Sequence, residues 1–66
     1  MNSMCINVRK AVYELEQVLN DAEGKSCGSQ DFLYALDLVR KGFIDSLVSK
    51  LGYDRDEVNK ARMGRW

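Results

Sequence analysis

Side chains that could do chemistry are few in this sequence, and they are scattered. It holds no histidine and two cysteines, Cys5 and Cys27. Zinc sites need several Cys or His ligands at close spacing, and two distant cysteines do not supply them. No serine or cysteine has an evident neighbour to take its proton, so no activated nucleophile is in sight. The carboxylates fall on polar helix faces or at helix caps. The expectation is no catalytic residue, no metal ligand and no cofactor, and a protein that is not an enzyme.

The cysteines do not make a staple either. Cys5 stands at the start of the first predicted helix and Cys27 in the loop beyond its end. At about 1.5 Å rise per residue, that helix holds them some 25 Å apart, whereas a disulfide needs Cα atoms within about 7 Å. Two unbridged cysteines fit a reducing, cytoplasmic setting. Cys27 reads more simply as a small turn residue than as a reactive thiol.

The basic residues allow one ligand chemistry. Arg9, Lys10, Arg40 and Lys41 lie on the two long predicted helices, near Tyr13 and Tyr34. Guanidinium and ammonium groups beside an aromatic ring suit a nucleotide bound at an oligomer interface. Gly24, Lys25 and Ser26 resemble the end of a phosphate-binding P-loop. Leu19 stands where that motif has its first glycine, and the segment lies between helices rather than after a strand. The turn reading is preferred.

The elements that must position these groups are helical. Met4, Val8, Ala11, Leu15, Val18 and Ala22 recur at spacings of four and three, widened by Cys5, Val12 and Leu19. This predicts an amphipathic helix from about Ser3 to Ala22, with Asn2 or Ser3 as its cap and Gly24 at its left-handed end. Ser29 caps a second helix from about Gln30 to Leu51, with Asp31 in its first turn. Its stripe is Phe32, Leu36, Val39, Phe43 and Leu47. Gly42 interrupts this stripe without changing its phase, which favours one long helix over two short ones. Gly52 ends it. Asp54 and Glu57 stand in the capping-box relation, and Tyr53 and Val58 in that of a hydrophobic staple. A third helix then runs from Arg55 to about Met63. The expected fold is all-α: an antiparallel hairpin of two long helices plus a short C-terminal helix, in a single domain over residues 1–66.

Leu47, Leu51, Gly52, Tyr53, Asp54, Val58 and Ala61 also match the apolar and turn positions of another motif. The segment Leu47 to Gly64 resembles the core of a DNA-binding helix-turn-helix. That resemblance implies a regulator whose third helix contacts DNA through Arg55, Asn59, Lys60 and Arg62. The helix opens with Asp54, Asp56 and Glu57, which repel phosphates. Every apolar position of the motif also serves an ordinary helix–glycine–helix corner. DNA binding is therefore the alternative reading.

Size and charge favour a different function. At 66 residues the chain buries only about 60% of its unfolded surface, and its core alone supplies roughly 3–5 kcal/mol. With neither metal nor disulfide, self-association is the remaining support, and a homodimer is the favoured state. Ten basic and ten acidic residues cancel, which removes the usual footprint of a nucleic-acid binder. No apolar run is long enough to span a bilayer, and the segment MNSMCINVRK has no signal-peptide core. Ile6, Tyr13, Leu38 and Val48 lie off the main stripes, and Trp66 offers an aromatic anchor. These five are the candidate interface. The leading expectation is a small cytoplasmic binding protein that acts stoichiometrically on a protein partner as a regulator, inhibitor or adaptor. In size and neutrality it resembles short phage or accessory-gene products.

Overall fold

The computed structural model describes residues 3–66 and contains three helices, α1 (Ile6–Gly24), α2 (Gln30–Ser49) and α3 (Arg55–Arg62). The fold is all-α, as the periodicity predicts. α1 and α2 form an antiparallel hairpin, and α3 packs across its open end.

Local signals place most of the boundaries. The Ser29 hydroxyl accepts from the Phe32 amide at 3.3 Å and starts α2. α2 runs unbroken through Gly42. Gly52, at φ 75°, turns the chain, and the Tyr53 amide returns to the Leu47 carbonyl at 3.1 Å. Asp54 then accepts from the Asp56 amide at 3.1 Å to start α3.

Three details differ from expectation. α1 begins at Ile6 behind Cys5, which makes no side-chain cap. Ser3 therefore precedes the helix by more than its capping position, and Asn2 lies outside the described residues. Gly24 is the last helical residue, and the left-handed positions of the loop are Cys27 (φ 54°) and Gly28 (φ 79°). Glu57 does not close a capping box, because Arg9 of α1 takes its carboxylate at 2.9 Å.

The larger difference is the rotation of both long helices. The core gathers Met4, Val12, Ile44, Leu47, Val58 and Ala61, with Val8, Phe43, Val48 and Tyr53 packed around it. α1 thus turns Val12 and Leu19 inward and leaves Val18 62% exposed. α2 turns Ile44 and Leu47 inward and leaves Phe32 and Val39 44% and 52% exposed. Met4 and Leu47 of the expected seam are buried, whereas Val18, Phe32 and Val39 of the same stripes stand at its edge. The cause is α3, which packs on one flank of the hairpin. It draws Ile44 and Val48 of α2 toward Val58 and Ala61.

Candidate protein-docking surface

One carboxylate organises the flank of the hairpin that faces α3. Glu16 of α1 lies 3.1 Å from Arg40 Nε of α2 and accepts from Arg62 Nε of α3 at 3.1 Å. Arg40 reaches on to Glu23 at 2.8 Å and to Asn20 at 3.3 Å. Burial alone would raise the Glu16 carboxyl. Hydrogen bonds and charge from Arg62 and then Arg40 outweigh it and hold the group below its ordinary value. Burial would likewise lower Arg40, and Glu23 and Glu16 together raise it.

These pairs account for most of the candidate ligand and DNA contacts. Arg9 is bound to Glu57, and Arg40 to Glu16 and Glu23. Lys41 pairs with Asp37 one turn earlier at 2.9 Å; that hydrogen bond, then the charge of Asp37, raises the ammonium pKa. Lys10 makes no ion pair among the described residues. On α3, Arg55 reaches Asp45 at 3.4 Å, and Arg62 holds both Glu16 and Asn59. Lys60 alone of that set has no charge partner among the described residues. The four cations of the ligand set do not converge: two lie in ion pairs between helices, one pairs along its own helix and one stands apart.

The aromatic candidates do converge. α3 ends in a Schellman turn: the Gly64 amide donates to Ala61 at 3.0 Å and the Arg65 amide to Lys60 at 2.8 Å. Gly64 takes φ 74°, and a Cβ there would lie 3.1 Å from the Tyr13 ring. That turn sends the last residues back across α1. Trp66 meets Tyr13 edge-on, with ring centroids 5.8 Å apart. Both rings keep an outward face, at 37% and 42% exposure. Ile6, two turns before Tyr13, is half exposed on the same side of α1.

Beside the pair lies an open groove of about 640 Å³, lined by Glu16, Asn20, Asn59, Arg62, Met63 and Arg65. Lys10, one turn before Tyr13, and Arg65 have no carboxylate partner among the described residues. The result is an aromatic ridge and a neighbouring groove with Arg65 in its lining.

The other two interface candidates lie elsewhere. Leu38 is half exposed on the solvent side of α2, one turn from exposed Tyr34. Val48 was expected to point outward but packs against the core, since α3 lies over it. Met63, absent from the candidate set, is exposed at the groove. Its place at the end of a helix marked it as a terminus and nothing more.

Among the described residues no three Cys, Asp or Glu side chains gather as a metal site. No helix there is long and apolar enough to cross a membrane. Both cysteines are free and exposed. No family model, no curated protein and no solved structure matches the chain.

Proposed function

We propose that this is a non-enzymatic binding protein that acts stoichiometrically, as a regulator, inhibitor or adaptor, by docking a protein partner on the Tyr13–Trp66 surface. The observation that carries the reading is the exposed aromatic pair, held at 5.8 Å by a dedicated helix-terminating turn. Tyr and Trp are enriched where a few side chains carry most of the binding energy. A pair already fixed on the surface loses little side-chain entropy when it is covered. The partner that fits offers an apolar side chain to the ridge and carboxylates to Lys10 and Arg65.

Support also comes from where the other cations go. A nucleotide or DNA phosphate needs charge that is free to meet it, and Arg9, Arg40, Arg55 and Arg62 already have carboxylate partners.

The test is affinity capture from the native host with the intact chain and with Trp66→Ala. The reading expects one protein retained at a fixed ratio by the intact chain and lost with the variant. Equal recovery of that protein by both would overturn it.

A further inference from the structure

The flank of the hairpin opposite α3 is bare. α3 has eight residues and is about 12 Å long, against about 30 Å for α2. It covers the open end, and near the loop Leu19 is buried outside the main core. On the uncovered side, Leu15, Val18 and Ala22 of α1 succeed one another at helical spacing, and Phe32, Leu36 and Val39 do the same on α2; Val18, Phe32 and Val39 are exposed and the other three half-buried. No charged residue interrupts either row within the helices. These rows belong to the strongest apolar stripes in the sequence.

We infer that this face docks a second copy of the chain, so that two hairpins form a four-helix bundle. Area and charge both favour a self-copy. Two helices, about 30 Å long and about 10 Å wide each, present a face on the order of 600 Å² in projection. Side-chain relief brings that near the roughly 800 Å² per partner of a standard interface. The chain has zero formal charge, so two copies meet without net repulsion. A two-fold axis parallel to the helices lays each α1 over the other copy's α2, apolar row against apolar row. The Tyr13–Trp66 surface lies on the other side of α1, so this inference stands apart from the docking function, and the dimer would present that surface twice.

The test is mass in solution by light scattering at high micromolar concentration, for the wild type, Val39→Glu and Leu38→Glu. Val39 and Leu38 are both half exposed in the single chain, so neither substitution opens the core. The wild type should scatter at twice the monomer mass and dissociate on dilution, with a thermal midpoint that rises with concentration. Val39→Glu should weaken the dimer at least about 100-fold by burying an unpaired charge. Leu38→Glu, on the solvent side, should leave it within about twofold. Should Val39→Glu fail to fold, the concentration dependence of the wild type still decides. A wild type of monomer mass with a concentration-independent midpoint overturns the inference, as does a folded Val39→Glu that dimerises like the wild type.

Discussion

Glu16 binds Arg40 of α2 and Arg62 of α3 with the same carboxylate, both at 3.1 Å. One side chain therefore ties all three helices together. Its pKa is held below 4.5 in the folded chain. A group whose folded pKa is depressed contributes stability above its unfolded value and loses it as pH falls through the folded one. Wild-type stability should thus decline as pH drops below about 4.5. Glu16→Gln should cost about 1–3 kcal/mol at neutral pH, because two guanidinium groups lose their charged acceptor. It should also flatten the acid limb. Chemical denaturation between neutral and acid pH measures both.

Gly64 is fixed by conformation and by contact. A side chain at φ 74° is strained, and its Cβ would press on the Tyr13 ring at 3.1 Å. Gly64→Ala should cost about 1–2 kcal/mol and release the tail from α1. Trp66 is the sole tryptophan, so its emission should shift to the red. An emission spectrum identical to that of the wild type would show that the turn does not hold the pair.

Gly42 has the opposite character. It lies inside α2, and a Cβ there meets nothing within 4 Å. Gly42→Ala should stabilise the fold by about 0.5–1 kcal/mol, the helix-propensity difference. The rise in thermal midpoint checks it.

Binding of DNA should be absent. Arg55 and Arg62 are engaged with Asp45 and Glu16, which leaves Lys60 as the unpaired cation of that set among the described residues. A gel-shift titration with duplex DNA at low salt should show no retarded band. A salt-sensitive complex weakened by Lys60→Ala would establish the helix-turn-helix alternative.

How far the sequence could be read follows from the range of each interaction. The Ser29 cap, the Gly52 corner and the unbroken α2 rest on neighbours a few residues apart, so they were legible. The rotation of the two long helices was not. The apolar arc of α2 is wide enough to bury either Phe32 and Val39 or Leu33 and Ile44. The choice falls to α3 and to Arg40, a charged residue turned inward because Glu16 and Glu23 receive it. A hydrophobic pattern places arginine outside by default. The capping box failed for a similar reason, since Arg9, far away in sequence, competes for Glu57. Of the candidate surface, Ile6 and Tyr13 were visible as apolar residues off the stripes, and Trp66 as an aromatic anchor. That Trp66 returns to Tyr13 depends on the Gly64 turn, whose left-handed geometry the sequence marked only as a helix end.

The proposed docking surface carries its own reporter in Trp66. The most direct measurement of the account is tryptophan emission of the intact chain, titrated with a tryptophan-free version of the protein that it captures from its host. A blue shift is expected as the ring leaves water, saturating at one partner per chain. A complex that forms with the Trp66 emission unchanged would contradict it.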